Sequence, residues 1–87
     1  MKPLNYAILK YLTTVQDASV EDVMTALHDA YGSFRAFTRK GITEILMTAS
    51  VNGLLEQSRV ELDEKGDLRM YFRAHKVGID VINRYIS

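Results

Sequence analysis

Residues 59–73 read "RVELDEKGDLRMYFR", and the pairing written into this stretch decides what the rest of the chain can be. Apolar and polar residues alternate on both sides of a charged knot with one glycine. That is the period of a strand whose successive side chains point to opposite faces. With the turn centred on Lys65, Leu62 faces Leu68, Val60 faces Met70, Glu61 faces Arg69 and Arg59 faces Tyr71. This register sets apolar against apolar and acid against base, the cross-strand pairs that antiparallel strands favour. "DEKG" supplies a turn in which Gly66 can take positive φ. The expectation is a hairpin with strands near 55–62 and 68–74. Its apolar face carries Val60, Leu62, Leu68, Met70 and Phe72, and its other face Arg59, Glu61, Arg69, Tyr71 and Arg73.

Helices surround the hairpin. Pro3 suits a first helical turn, where its missing N–H is an orphan in any case. Leu4, Ala7, Ile8, Tyr11, Leu12 and Val15 then recur at helical spacing, which predicts a first helix over about 3–15. Ser19 with Asp22 three residues on forms an N-cap and a shortened capping box. Val20, Val23, Met24, Leu27 and Tyr31 follow as the stripe of a second helix, about 20–30, stopped by Gly32. A third helix carries Ile42, Ile45, Leu46 and Ala49 inward and ends near Asn52–Gly53. Thr38 and Ser33 are both candidate caps for its start. Gly41 inside it costs about 1 kcal/mol relative to alanine, and a close backbone approach is one reason to keep it. The last helix, about 76–86, presents Val77, Ile79, Val81, Ile82, Tyr85 and Ile86. A third strand beside the loop between the first two helices is compatible with this order but has no pattern of its own.

Eighty-seven residues suffice for one domain with a single modest core, so 1–87 is read as one domain. The chain has no cysteine, which removes disulfides and thiol chemistry. "PLNYAILKYL" has no uninterrupted apolar run of signal-peptide length, and no stretch is long enough to span a bilayer, so the expected location is cytoplasmic. Eleven basic and eleven acidic side chains leave zero formal charge. No global field therefore draws the chain to nucleic acid or anionic lipid. The distribution is uneven. Residues 1–32 carry Lys2 and Lys10 against Asp17, Glu21, Asp22 and Asp29, whereas 33–87 carry nine basic and seven acidic side chains. The sign changes at "GSFRAFTRKG", where Arg35, Arg39 and Lys40 precede any acid.

Helix, helix, helix, hairpin, helix is the order of a winged helix, an α+β fold with three helices, a β-hairpin wing and a C-terminal helix. "TRKGITEILMTASVNGLLEQ" (38–57) resembles the recognition helix and following strand of PadR-like and MarR-like winged-helix regulators, with Gly53, Leu54 and Leu55 leading into the wing. "RMYFRAHKVGIDVINRYI" (69–86) is similar to their wing exit, in which an aromatic pair leads to a cap, a glycine and an apolar helix. Tyr71, Phe72 and Gly78 match, while His75 stands where the family usually has Thr or Ser as the cap. The resemblance implies double-stranded DNA as partner and a role in transcription regulation. The third helix would enter the major groove with Arg39, Lys40, Thr43, Met47 and Ser50 outward, in reach of base edges and phosphates. Arg35 would lie near the backbone, and Arg69 and Arg73 would hold phosphates from the wing.

A different partner class competes with this one. The hairpin tip holds Asp63, Glu64 and Asp67 against Lys65, a local charge that repels phosphate. Arg69 is expected to pair with Glu61 across the ladder, whereas Arg73 has no obvious acidic neighbour. A winged helix that binds protein through its terminal helices and an acidic tip is the alternative function. Those helices carry apolar residues over much of their girth, which calls for cover on more than one side. Tyr6, Leu9, Val77, Val81 and Tyr85 are the candidate interface of a homodimer, the assembly that the family resemblance also implies. Catalysis has little to stand on. His28 is expected to face solvent and His75 to cap or hinge the last helix, with no Ser–His–Asp arrangement in view. No phosphate loop, calcium loop or transition-metal ligand set appears, so no enzyme activity, cofactor or metal is expected.

Overall fold

The computed structural model describes residues 1–87 and contains four helices and one small sheet. In chain order these are α1 (Leu4–Leu12), β1 (Ala18–Ser19), α2 (Val20–Tyr31), α3 (Arg39–Val51), β2 (Glu56–Leu62), β3 (Leu68–Arg73) and α4 (Lys76–Tyr85). The sheet is antiparallel with order β1-β3-β2. The class is therefore α+β.

Local chemistry sets most of the boundaries. Pro3 lies at the N-cap of α1 rather than inside its first turn, and its carbonyl accepts from the Ala7 N–H. The helix stops at Leu12, short of the expected Val15, because Thr13 and Thr14 turn their hydroxyls onto the Lys10 and Tyr11 carbonyls. Threonine offers the backbone that alternative wherever a helix is about to end. Ser19 and Asp22 close a full capping box at the start of α2. The Asp22 N–H donates to Ser19 Oγ and the Ser19 N–H to Asp22 Oδ2. Ser19 is wholly buried, and these bonds satisfy it. Thr38, not Ser33, caps α3, its Oγ1 accepting from the Gly41 N–H at 3.0 Å. His75 caps α4. Its Nδ1 accepts from the Gly78 N–H at 3.2 Å while Nε2 lies 3.0 Å from the Gly53 carbonyl. The ring thus carries its proton on Nε2 and ties the start of α4 to the turn that ends α3.

The hairpin has the expected register from Arg59↔Tyr71 to Leu62↔Leu68, then slips. A bulge at Ser58 sets Phe72 opposite Gln57 and Arg73 opposite Glu56. At the tip, Asp63 Oδ1 accepts from the Lys65 and Asp67 amides, and Gly66 takes φ +83°. On its other edge β3 pairs with β1, Ala18 with Phe72 and Ser19 with Tyr71. This is the third strand that had no pattern of its own.

The core gathers Ile8 and Leu12 of α1, Val23 of α2, Ile42 and Leu46 of α3, Leu55, Phe72 and Ile82. The apolar face of the hairpin continues this core only as far as Phe72 and the half-buried Met70. Beyond them Val60, Leu62 and Leu68 are exposed, Leu62 and Leu68 by 69% each, because no helix extends beneath that end of the ribbon. The expectation that alternation marks a buried face fails there. Tyr71, on the opposite face, is buried instead, between its partner Ser19 and the Arg59 guanidinium, which stacks 3.7 Å from its ring centroid.

Gly41 answers the question its sequence raised. A methyl group there would stand 2.2 Å from the Ala36 carbonyl oxygen, so the loop before α3 packs directly on the helix backbone. Helix propensity alone would make Gly41→Ala stabilising by about 1 kcal/mol. The clash reverses the sign, and a net loss of about 1–3 kcal/mol is expected from overpacking. Urea unfolding checks it, and a more stable variant would contradict the close approach. His75→Ala should cost about 1 kcal/mol, the usual value of a cap. His75→Ser should recover only part of it, because serine caps α4 without reaching Gly53.

Candidate nucleic-acid interface

α3 turns Ile42, Leu46 and Ala49 inward, with Ile45 half-buried. The opposite face therefore belongs to Lys40, Glu44, Met47 and Val51, which recur at helical spacing and are all exposed. Lys40 and Met47 were expected there. Glu44 and Val51 were not, although the same period that selects Lys40 and Met47 reaches both. Thr43 and Ser50 lie on one flank, half-buried, each donating its hydroxyl to the carbonyl four residues back, Arg39 and Leu46. Their lone pairs stay open to a donor, but neither hydroxyl proton is free. Arg35 is exposed in the loop between α2 and α3, and neither it nor Lys40 enters an ion pair.

The remaining cations of the expected site are held by carboxylates. Arg39, the first residue of α3, pairs with Glu21 of α2. Arg69 also points to Glu21, its Nε 3.6 Å from Oε1, and not to Glu61, which pairs with Arg59. Arg73, expected to be free, pairs with Glu56 because the bulge brings that residue opposite it. Of these groups, Glu21, Arg39 and Arg69 line an open cleft of about 640 Å³ between the hairpin tip and the start of α3, together with Lys65 and the tip acids. α3, the hairpin and the first turn of α2 therefore meet at one place, where the charges alternate in sign.

Asp17, in the loop before β1, is the second anchor of the hairpin. Its Oδ2 accepts from Arg59 Nε at 2.8 Å and from Ser58 Oγ at 3.3 Å. The bulge presents both donors to one carboxylate. The Arg59 hydrogen bond holds the Asp17 carboxyl below its ordinary range, against the opposing effect of partial burial, and the same bond raises the Arg59 guanidinium.

The candidate dimer residues are split. Tyr6, Val77, Val81 and Tyr85 are exposed, whereas Leu9 is buried in the core. Tyr6, Leu9, Leu54, Val81 and Tyr85 are among the residues lining a wholly apolar groove of about 220 Å³ between α1 and α4. The two helices are fastened by Lys10, whose ammonium donates to Asn83 Oδ1 at 2.7 Å and to the Ile86 carbonyl at 2.9 Å. Ile82 and Ile86 are covered by the chain itself, but Val77 and Tyr85, at 66% and 76% exposure, are not.

A third recess, about 530 Å³, lies on the other flank of α3 between Asn5, Glu44, Thr48 and Asn52. Glu44 is its one titratable group, with the Thr48 hydroxyl in the same lining. His28 is exposed next to Asp29, and both nitrogens of His75 are engaged as described. No set of three or more His, Cys, Asp and Glu side chains is placed to hold a metal, and no helix is long and apolar enough to cross a membrane. No protein-family model matches the chain, and neither does any curated protein.

The Asp17 anchor gives the fold a defined acid response. A carboxyl that ionises below its ordinary value of 3.8 stabilises the folded state above that value. The contribution disappears as the pH falls through the lower, folded-state value. Asp17→Asn should lower the Tm at neutral pH and flatten the acid limb of the Tm curve. An acid limb as steep as that of the parent protein would contradict the anchor.

Proposed function

We propose that this chain is a winged-helix DNA-binding protein, a small transcription regulator in which α3 enters the major groove and the hairpin serves as the wing. The observation that carries this function is the outward face of α3. It is solvent-exposed, it begins at the unpaired Lys40 with the unpaired Arg35 in the loop before it, and its start shares a cleft with the hairpin tip. The element order and the three-stranded antiparallel sheet agree with it. Lys40 and Arg35 supply phosphate contacts, and Thr43, Met47 and Ser50 lie along the same helix toward base edges. Arg39, Arg69 and Arg73 contribute only by leaving their carboxylate partners.

The protein acts as a two-fold dimer joined through Tyr6, Val77, Val81 and Tyr85, the apolar face that its own core leaves open. Such a dimer sets two α3 helices against successive major grooves, about 34 Å apart. A second function is favoured by the exposed Val60, Leu62 and Leu68 beside the acidic tip: a winged helix that docks a protein and leaves DNA alone.

The two functions separate in one binding experiment. Arg39→Ala with Lys40→Ala should lower the affinity for duplex DNA at least about tenfold, reduce the salt slope by about 0.9 per lost phosphate contact, and leave the Tm nearly unchanged. Equal affinity of the variant and the parent would remove α3 from the site. For the dimer, Tyr85→Arg should give a monomer in sedimentation at concentrations where the parent protein is dimeric, and a parent protein that is monomeric throughout rejects the interface.

A further inference from the structure

One carboxylate sits where three elements meet. Glu21, the second residue of α2, directs Oε2 to Arg39 at the start of α3 and Oε1 to Arg69 of β3. Its side chain is 33% exposed, so water and ions reach the pair from the cleft. Guanidinium groups that converge on a carboxylate present the same fork of N–H donors that binds a phosphate oxyanion. The other charges facing this point are Lys65 and the tip acids Asp63, Glu64 and Asp67. With Glu21 in place the cleft has more acids than bases and repels a phosphate. With Glu21 neutral or turned away, Arg39, Lys65 and Arg69 face three acids that lie farther out on the turn.

Resting on the DNA-binding function above, we propose that Glu21 is a built-in competitor for the DNA backbone: its carboxylate holds the position between Arg39 and Arg69 that a phosphodiester takes in the complex. Binding therefore exchanges one anion for another at a preformed pair of arginines. This accounts for a site in which Arg39 and Arg69 already share an acid partner, in a chain of zero net charge. It also gives Glu21 a role different from that of Glu56 and Asp17, each of which holds a hairpin arginine without touching α3.

Fluorescence anisotropy with a short mixed-sequence duplex tests the exchange, with Glu21→Gln compared with the parent protein and with Asp80→Asn, a loss of the same charge at an exposed, unpaired position on α4. Glu21→Gln should bind about three- to tenfold more tightly, the equilibrium worth of two exposed ion pairs, and with a steeper salt dependence. Asp80→Asn should gain less. Adding Arg69→Ala to Glu21→Gln should remove most of the gain. The exchange is overturned, with DNA binding intact, if the parent binds and Glu21→Gln binds no more tightly, or if Asp80→Asn gains as much. Weaker binding by Glu21→Gln would make Glu21 a fastener of the hairpin and also overturn it. Binding by Glu21→Gln alone supports the exchange. Silence from both proteins at low salt rejects DNA binding and the exchange together.

Discussion

The hairpin is part of the fold only because β3 is bound on both edges at Tyr71 and Phe72. β1 supplies one edge through Ala18 and Ser19, and β2 supplies the other through Gln57 and Arg59. Phe72 enters the core with no exposure, and Tyr71 is covered from outside by the Arg59 guanidinium. A two-stranded ribbon by itself is marginal in water. Here two residues of a third strand and one buried aromatic attach it to the helices, and the cleft between the hairpin and α3 exists through that attachment.

The helices are arranged around the same point. Ser19 is at once the last residue of β1, the partner of Tyr71 and the N-cap of α2. The strand that holds β3 therefore starts the helix that carries Glu21, which in turn reaches Arg39 and Arg69. At the far end of the hairpin, His75 caps α4 and reaches back to Gly53 after α3. Short side-chain bridges of this kind set the orientation of α3 relative to the hairpin without a large core.

Much of this was legible in the chain. The hairpin register followed from charge and apolar pairing around Lys65, and the α2 capping box from Ser19 and Asp22, because both depend on neighbours in sequence. What escaped depends on distance. β1 is two residues long and has no period to read. The bulge at Ser58 shifts the register by one. An unbroken ladder sets Arg73 opposite Gln57 and leaves it free, whereas the bulged one sets it opposite Glu56 and pairs it. Glu21 with Arg69 and Asp17 with Arg59 are far apart in sequence, so no local spacing announces them. Alternation marked Val60, Leu62 and Leu68 as one face but not whether anything lies beneath it. For the candidate site, the sequence placed the cations on the right elements and missed that carboxylates hold three of them. Lys40 and Arg35 are the ones it placed that remain unpaired.

The proposed function makes α3 and the adjoining hairpin a surface for duplex DNA. An amide-shift NMR titration of the isotope-labelled protein with mixed-sequence duplex, run at low and at moderate salt, tests it most directly. DNA binding at this surface requires shifts concentrated in residues 35–50 and around Arg69 and Arg73, shrinking as salt rises, since backbone binding releases counterions. A spectrum unchanged by DNA at low salt, where even non-specific binding registers, would contradict it.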